Sequence, residues 1–464
     1  MLLLATLSIL EMDIDAFNTS LMGRFDSAIM LEDNTYKQTY LTDLSRWVDN
    51  GFRTRSLNNC SLSYRYGGWL ITVAGHSRYL WAPETYKREN HYGRHLTHWS
   101  MQLLHGNGSF ESGYQLNGWD WCHIPDTTAA EIPMEMMKAN VLNVDEFSGY
   151  EEMLLSDEWF AGGLSFGYNA AMYSMKLHEH DKYNGSIRAR KSFFAFENRI
   201  ICIGDGLENS LENSELHTTL FQNSIAPQED TETEILDCQN TIIKDKFGNA
   251  YFIPSGKLCL TKGLQKSYHE ETDAVTEGYF EKAYINHGDI CTGSDSDRYE
   301  YMLVIAPTKT ELAIYSNEMP YSIYRADSTA HIVRDNLTGI TACSAFNQTS
   351  VDENILSVTP SILMYTIEND QLDMCVSSPD LALYRGPSDQ IFDSKGKRKE
   401  RSVYGRRWIN NPAHNVEIIV TVKGCWAIDG NSNSDVEIKV ENGNTILTFT
   451  TAESRSEQIK LTRK

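Results

Sequence analysis

Beyond Cys60 the chain alternates short apolar or β-branched segments with polar turn residues. Such segments occur at Leu70–Ala74, Ser192–Ile203, Thr241–Lys244, Tyr299–Ile305 and Val416–Val422. Turns containing Asn separate several of them, including FGN at residues 247–249 and ENGN at residues 441–444. Because β-branched and aromatic residues favour strands and Asn-Gly favours tight hairpins, the pattern predicts many short strands in stacked antiparallel sheets.

Helical spacing is confined to the start of the chain. Leu2–Leu10 is a nearly continuous apolar run, and over Tyr36–Asn50 large apolar residues recur every three or four positions. The opening run resembles the apolar core of a signal peptide, but it lacks a basic segment before it and an A-x-A-like cleavage site. We therefore predict a helix that packs against a partner upstream of residue 1, with a signal-peptide remnant as the alternative.

A second change of pattern falls near Pro307–Pro320, after which strand-like segments restart. We predict a helical end and connector over residues 1–55, a central antiparallel β-sandwich domain over residues 56–318 and a smaller C-terminal β domain over residues 319–464. The predicted fold class is mainly β, with a short helical N-terminal remnant.

The balance of charge limits the classes of partner. The 464 residues carry a formal net charge of −22, which disfavours nucleic acid and anionic membranes as partners. The sequence has no run of 18 or more apolar residues, so it predicts no membrane-spanning helix. A polyanionic ligand would have to be held by a local cluster of Arg, Lys and His.

Common cofactor and nucleophile motifs are absent from the sequence. It has no Walker A loop, no G-x-S-x-G elbow and no H-E-x-x-H motif. Nine cysteines are scattered without a C-x-x-C pair, and we interpret them mostly as small buried residues. The sequence therefore predicts neither a zinc ribbon nor thioredoxin-like chemistry.

Three short segments have competing interpretations. His178-Glu179-His180 places two imidazoles on one face of a strand, but it has no further ligands nearby in sequence, so we favour a polar surface segment over a zinc site. Gly204-Asp205-Gly206 is interpreted as a tight turn in preference to a nucleotide-binding site, since no helix pattern follows it. The basic run Lys395–Arg401 is interpreted as a solvated hairpin tip in preference to a ligand-binding patch.

Cationic and aromatic side chains are concentrated in residues 75–128. They include Arg78, Lys87, Arg88, Arg94, Trp119 and Trp121, together with several histidines and tyrosines. Aromatic faces stack on sugar rings, and Arg or Lys holds carboxylate and sulfate groups. This composition favours a groove for an acidic polysaccharide, with an aromatic β-core rimmed by Arg as the alternative.

Several sequence segments also match a known family in its order along the chain. They are residues 81–94 (WAPETYKRENHYGR), 113–121 (GYQLNGWDW), 191–204 (KSFFAFENRIICIG), 218–222 (TTLFQ), 285–288 (INHG) and 299–302 (YEYM). In these segments the chain resembles polysaccharide lyase family 8, and within it the chondroitin ABC lyases more than the chondroitin AC, hyaluronate or xanthan lyases. The resemblance implies an α/α toroid followed by a large antiparallel β-sandwich domain and a smaller C-terminal β domain. Of the toroid, this chain is expected to hold only the end.

By this resemblance, the reaction removes the C5 proton of a uronic acid and expels the 4-linked sugar, leaving an unsaturated uronate. The family uses a Tyr as base, supported by a His and an Arg, with a Glu that orients the group. The Arg matches Arg24 and the Glu matches Glu84, so these are the predicted catalytic residues. The family's Tyr and His precede that Arg, and residues 1–23 contain neither residue type.

The same resemblance, with the composition of residues 75–128, gives the binding predictions. Substrate binding is predicted for Arg78, Lys87, Arg88, Arg94, Trp119 and Trp121, with a structural brace as the alternative for Arg94 and core packing for the two Trp residues. The expected partner is chondroitin or dermatan sulfate, with hyaluronan as a further candidate. Ala28 and Lys87 stand where the chondroitin AC branch has Arg and Asn, which weakens assignment to that branch.

The elimination itself requires no cofactor. A divalent cation such as calcium is compatible with a polyanionic substrate, but the sequence shows no ligand cluster for one. The resemblance implies a secreted or periplasmic bacterial protein, monomeric if intact. The alternative function is a catalytically incomplete fragment that at most binds glycans, and the apolar β surface exposed in such a fragment predicts self-association.

Overall fold

The computed structural model describes residues 55–57, 61–66, 68–87, 89–105, 109–167, 169–184, 187–228, 230–289, 291–294, 296–429 and 436–464, with the backbone alone for residues 55–57. Within these ranges the chain is mainly strand, arranged in antiparallel sheets, and the mainly β prediction is confirmed. The predicted helices at Leu2–Leu10 and Tyr36–Asn50 lie outside the described residues. No helix among the described residues has the length and apolar character needed to cross a bilayer.

The first part of the described chain holds one short helix and seventeen strands. They are β1 (Arg55–Leu57), β2 (Ser61–Tyr66), β3 (Trp69–Ala74), β4 (Thr85–Tyr86), β5 (Ser100–His105), β6 (Thr128–Ala130), α1 (Met134–Met137), β7 (Glu151–Glu152), β8 (Ala161–Phe166), β9 (Ala170–His178), β10 (Arg188–Phe196), β11 (Arg199–Asn209), β12 (Leu216–Ser224), β13 (Glu232–Lys244), β14 (Ala250–Tyr268), β15 (Val275–Asn286), β16 (Cys291–Thr292) and β17 (Tyr299–Val304).

The second part starts with a helix and continues as strands. The elements are α2 (Lys309–Tyr315), β18 (Tyr321–Ala326), β19 (Ala330–Asp335), β20 (Thr341–Ala345), β21 (Ile355–Val358), β22 (Ser361–Glu368), β23 (Gln371–Ser377), β24 (Val416–Lys423), β25 (Trp426–Ile428), β26 (Val436–Glu441), β27 (Asn444–Thr451) and β28 (Ser456–Arg463).

The large sheets stack as layers. A four-stranded sheet of order β1-β2-β3-β5 covers one face of an eleven-stranded sheet, whose main path is β6-β12-β15-β14-β17-β11-β10-β9-β8. The other face of the eleven-stranded sheet packs on a seven-stranded sheet of order β18-β19-β20-β22-β23-β28-β25. That sheet packs in turn on a four-stranded sheet of order β21-β24-β27-β26.

Apolar cores fill the spaces between these layers. From the first interlayer space to the third, representative pairs are Val73 with Phe193, Phe194 with Met364, and Leu363 with Phe449. Since successive strand residues point to opposite faces, β10 and β22 each supply two cores. These strands are therefore apolar on both faces, which is why their sequences read as continuous hydrophobic runs instead of alternating ones.

Two local predictions need correction. The run Ser192–Ile203 is a hairpin and not one strand, because the chain reverses at Glu197, whose φ is 54°, between β10 and β11. Gly204-Asp205-Gly206 is not a turn but lies inside β11, where the buried Asp205 carboxylate accepts hydrogen bonds from Arg190 and pairs with His331 of β19 at 2.8 Å. Partners on neighbouring strands hold this segment in the sheet, although Gly206 has a φ of 58° where the register between β10 and β11 shifts.

Helix α2 lies in the segment where the sequence pattern changes, and it was not predicted from that pattern. Thr308 caps it by accepting a hydrogen bond from the Glu311 amide at 3.1 Å, while the Glu311 carboxylate accepts from the Thr308 amide at 2.7 Å. This reciprocal pair is a capping box, and its T-x-x-E spacing was visible in the sequence.

The cysteines behave as predicted where the structure describes them. Seven of the eight described free cysteines are buried, and Cys425 is of intermediate exposure. Burial raises the pKa of the Cys202 and Cys343 thiols above their usual value. These side chains therefore pack as small apolar groups.

The basic run Lys395–Arg401 is not simply a solvated tip. Arg398 is 3% exposed, and its guanidinium donates to the Glu179 carbonyl at 2.9 Å and lies 3.4 Å from the Asp157 carboxylate. Glu400 pairs with Lys182 at 2.5 Å. The run docks on the segment after β9 because that segment supplies carboxylates and free carbonyls.

Glu400→Gln should stabilise the protein above pH 7. Burial raises the pKa of Glu400 to about 7, so the folded state binds its proton more tightly than the unfolded state does. The stability that this proton contributes is complete below the ordinary Glu pKa and is lost as pH rises through about 7. We expect the free energy of unfolding to rise by about 1–2 kcal/mol at pH 8 and to change little at pH 4.5. Urea unfolding at the two pH values measures this, with exposed Glu417→Gln as the control; an equal gain at both would contradict it.

Candidate functional site

Glu84 lies at the surface immediately before β4. Its carboxylate accepts a hydrogen bond from the hydroxyl of Tyr86, which lies two residues later, in β4. This hydrogen bond raises the pKa of Tyr86 above its usual value, because ionising the phenol would remove the donor and set two negative charges together. Tyr86 therefore stays protonated near neutral pH and orients the Glu84 carboxylate.

Residues from distant parts of the chain support the Glu84 strand. β4 pairs with β7, and the Ala82 amide donates to the Leu154 carbonyl at 2.7 Å. Beneath it, Tyr79 packs edge-on against Trp408 with ring centroids 5.4 Å apart, and Tyr86 contacts the same apolar cluster. The Tyr79 hydroxyl donates to the Tyr384 carbonyl at 3.2 Å. The position of the surface around Glu84 is thus fixed by packing between the segment after β3 and the segment after β23.

Cations predicted to bind substrate are placed over aromatic rings in this region. The Lys87 ammonium lies 5.0 Å from the ring centroid of Tyr150, a residue that is 59% exposed. The Arg78 guanidinium lies 5.0 Å from the Tyr79 ring centroid and is partly exposed. Lys87 with Tyr150 gives the surface an exposed cation beside an exposed aromatic face, the pairing that an acidic sugar requires.

Arg94 lies inside the protein instead of on a groove surface. It is 7% exposed, its guanidinium lies 4.1 Å from the Tyr183 ring centroid, and it contacts the Met137 sulfur at 3.7 Å. The 3-10 turn Gly93–His95 that carries it is buried throughout. Because little of its surface can reach a polymer, this placement favours the alternative of a structural brace, and the substrate-binding role of Arg94 stays a prediction.

Trp119 and Trp121 are also largely in the core, at 6% and 3% exposure. Trp119 packs edge-on against Tyr114 with ring centroids 4.9 Å apart. Both indoles line a cavity of about 350 Å³ that Trp69 and Phe247 also line. Their burial favours packing as their main role, and the cavity is their remaining contact with open space.

The other two predicted site residues are Arg24 and Arg88. Both lie outside the described residues, so their predicted roles stay predictions.

The segment His178-Glu179-His180 is buried, so its interpretation as polar surface is wrong. The three residues are 5%, 5% and 4% exposed. Burial and, after it, the positive charge of Arg398 lower the pKa of His180 to about 3. Glu179 meets His95 and His98 in a buried cluster of candidate metal ligands, with 3.8 Å between the His95 Nε2 and Glu179 Oε1 atoms.

A second cluster lies at the end of the eleven-stranded sheet and was missed by the sequence analysis. It consists of His123, Glu131 and His217, whose nearest ring nitrogens and carboxylate oxygen converge. His123 and His217 are buried, whereas the Glu131 side chain is 48% exposed. The pairing of β6 with β12 brings these residues together, and no sequence spacing or motif predicts the cluster.

Two family models match the sequence. Residues 61–316 match the model described as polysaccharide lyase family 8, super-sandwich domain, and residues 6–65 match the model described as lyase, catalytic. The first range contains Glu84 and the second contains Arg24.

Characterised relatives and a solved structure agree with these matches. A chondroitin sulfate ABC exolyase of Bacteroides thetaiotaomicron is 36% identical over 435 residues, which cover 90% of this chain and 42% of that protein. A chondroitin sulfate ABC exolyase of Proteus vulgaris is 33% identical over 377 residues, which cover 78% of this chain and 37% of that protein. The chain thus spans less than half the length of these relatives. The structure of a Paenibacillus xanthan lyase superposes with a TM-score of 0.68 at 13% identity, covering 91% of this chain and 39% of that one, which shows a common fold.

Proposed function

The chain belongs to polysaccharide lyase family 8, and we propose that it forms part of a glycosaminoglycan lyase that cleaves chondroitin and dermatan sulfate by β-elimination. Relatives named for action on chondroitin sulfate support the substrate class. The observation that carries the proposal most directly is Glu84. Its carboxylate is exposed, oriented by Tyr86 and located in the sequence segment that matches the family.

The chemistry requires an acidic substrate to be held and its C5 proton to be removed. That proton is weakly acidic, so an enzyme must neutralise the neighbouring uronate carboxylate and place a base against C5. We assign Arg24 to the first task by resemblance. Glu84 is assigned to orienting the supporting cation or imidazole, because a carboxylate that already accepts one hydrogen bond retains lone pairs for another donor.

Lys87 and Arg78 are proposed to hold substrate near Glu84. An ammonium beside the exposed Tyr150 ring can pair with a sulfate while the ring stacks on a sugar. We propose no cofactor for the elimination itself. Since the substrates are extracellular polymers, we also propose that the protein acts outside the cytoplasm of a bacterium.

The ultraviolet absorbance of unsaturated uronate tests the proposal. The 464-residue chain is incubated with chondroitin sulfate, dermatan sulfate and hyaluronan, and binding is measured in parallel by affinity electrophoresis. An absorbance rise with the sulfated polymers that Glu84→Gln abolishes supports a lyase. Binding without turnover by a folded chain favours the glycan-binding alternative, and neither binding nor turnover contradicts both.

A further inference from the structure

The atoms of the second histidine cluster are arranged as the ligands of one small cation. His123 Nε2 lies 3.1 Å from His217 Nδ1 and 3.1 Å from Glu131 Oε2, and His217 Nδ1 lies 3.3 Å from Glu131 Oε2. Tetrahedral zinc with bonds of about 2.0–2.1 Å separates its ligand atoms by roughly 3.3–3.4 Å. The three atoms therefore form one face of such a tetrahedron, with only small shifts needed.

A flanking carboxylate orients the His123 imidazole. Its second nitrogen, Nδ1, lies 2.8 Å from the Asp120 carboxylate, whereas the second nitrogen of His217, Nε2, lies 3.5 Å from the Glu215 carboxylate without a hydrogen bond. A carboxylate in the position of Asp120 fixes the tautomer of a metal-binding histidine, so that its other nitrogen presents a lone pair. Asp120 is itself held by Lys282 at 2.6 Å.

This arrangement leaves a charge to be neutralised. When His123 donates its outer N–H to Asp120 and His217 carries its proton on Nε2, the inner nitrogens and the Glu131 oxygen direct lone pairs at one another, with no hydrogen between them. The carboxylates of Glu131, Asp120 and Glu215 exceed the charge of the neighbouring Lys282 by two. A divalent cation in the centre would neutralise both excess negative charges.

We propose that His123, Glu131 and His217 bind Zn²⁺. Two imidazoles and one carboxylate suit zinc and disfavour calcium, which prefers six to eight oxygen ligands. The open side of the site is the Glu131 side, where half of that side chain is exposed, so the ion enters there and water completes the tetrahedron. The proposal is independent of the proposed lyase activity.

The location gives the ion a bracing role in the sheet. Glu131 directly follows β6, His217 lies in β12, and His123 belongs to the loop that precedes β6. The ion would tie the end of β6 and its preceding loop to β12. Both imidazoles also lie against the Tyr284 ring of β15, with centroids 4.6 and 4.3 Å away.

The other buried cluster, His95, His98 and Glu179, is a weaker candidate for the same ion. All three of its residues are 5% exposed or less, so it has no exposed ligand beside which an ion could enter. This cluster is where zinc would be sought next if His123, Glu131 and His217 do not bind it.

Zinc binding to the chelator-treated 464-residue chain tests the proposal. We expect tight binding of one equivalent of Zn²⁺ by isothermal titration, an upward shift of the unfolding temperature on adding zinc, and visible tetrahedral bands when Co²⁺ replaces it. Glu131→Gln should weaken zinc binding by at least about 100-fold, and Asp120→Asn by about tenfold, the effect usual for an outer-shell partner. Glu131 is half exposed, so its variant should fold, which circular dichroism verifies.

His414→Gln is the matched control, because it removes an exposed imidazole far from the cluster in sequence. It should bind zinc as the unmodified chain does. Failure of the chain to bind zinc overturns the proposal. One equivalent bound with unchanged affinity by both Glu131→Gln and His123→Gln also overturns it, since the ion then lies elsewhere, with the His95 cluster as the first place to examine.

Discussion

Glu84→Gln is expected to lower kcat/KM for release of unsaturated uronate from chondroitin sulfate by about 100-fold or more, with most of the loss in kcat. Glutamine keeps the size of the side chain but cannot carry the negative charge that orients a cationic or imidazole partner. Because the contribution belongs to positioning and not to gripping the polymer, KM should change less than kcat. Initial rates at varied substrate concentration separate the two.

A second readout distinguishes this role from a structural one. The Glu84 carboxylate raises the pKa of Tyr86, so in Glu84→Gln the phenol should ionise closer to its ordinary pH. Difference spectroscopy of phenolate formation between the two proteins measures that shift. Glu89→Gln, which alters an exposed carboxylate nearby in sequence, is the control and should retain activity. Equal losses in Glu89→Gln, or a loss confined to KM, would contradict the positioning role.

Lys191→Met is expected to lower the free energy of unfolding by about 3–5 kcal/mol at pH 7, where the ammonium persists although burial lowers its pKa to about 8. Lys191 is fully buried, donates a hydrogen bond to the Asp126 carbonyl, and neutralises the buried Asp126 carboxylate. That carboxylate accepts hydrogen bonds from Trp99 at 2.8 Å and Tyr301 at 2.7 Å, so it cannot turn to solvent. Without the ammonium, an uncompensated charge stays in the first apolar core.

The destabilisation should depend on pH. Burial already raises the pKa of Asp126 to about 6, and losing Lys191 raises it further, because the ammonium lowers it. Below that pKa the carboxyl is neutral in the folded protein, so the loss caused by Lys191→Met should shrink between pH 7 and pH 5. Urea unfolding at both values, followed by tryptophan fluorescence, measures the change.

Two variants sharpen this test. Adding Asp126→Asn to Lys191→Met should recover part of the lost stability, because Asn carries no charge and tolerates the φ of 59° at this position. Lys257→Met removes an exposed ammonium and should change stability by less than about 0.5 kcal/mol. A loss in Lys191→Met that is the same at pH 5 and pH 7 would point to packing instead of charge.

Several features of the fold could be predicted from sequence because they depend on near neighbours in the chain. Phe193 and Phe194 illustrate this: a continuous apolar run bounded by polar residues indicates a strand buried on both faces, and that is how β10 lies between two cores. The hairpin at Glu197 was missed, because its turn residues lack Gly or Pro and lie within an apolar run. Helix α2 was missed although its capping box was visible.

Within the candidate site, Glu84 could be located by sequence, because a long specific motif surrounds it. The burial of Arg94 could not be predicted from sequence, because the same basic and aromatic composition suits both a surface groove and a buried core. Only the packing of Tyr183 and Met137 around its guanidinium decided between them. Arg398 is a second example. Its basic neighbours in sequence suggest exposure to solvent, yet it is buried and pairs with Asp157 before β8 and Asp181 after β9.

By itself the sequence determined the strand-rich class, the family and the position of Glu84, since periodicity and motifs are properties of consecutive residues. Tertiary structure alone decided which distant side chains meet. His123 and His217 are 94 positions apart and come within 3.1 Å because β12 pairs with β6 in one register. Shifting that register by one residue would turn His217 to the opposite face of the sheet, so the cluster follows from strand pairing and not from any local pattern.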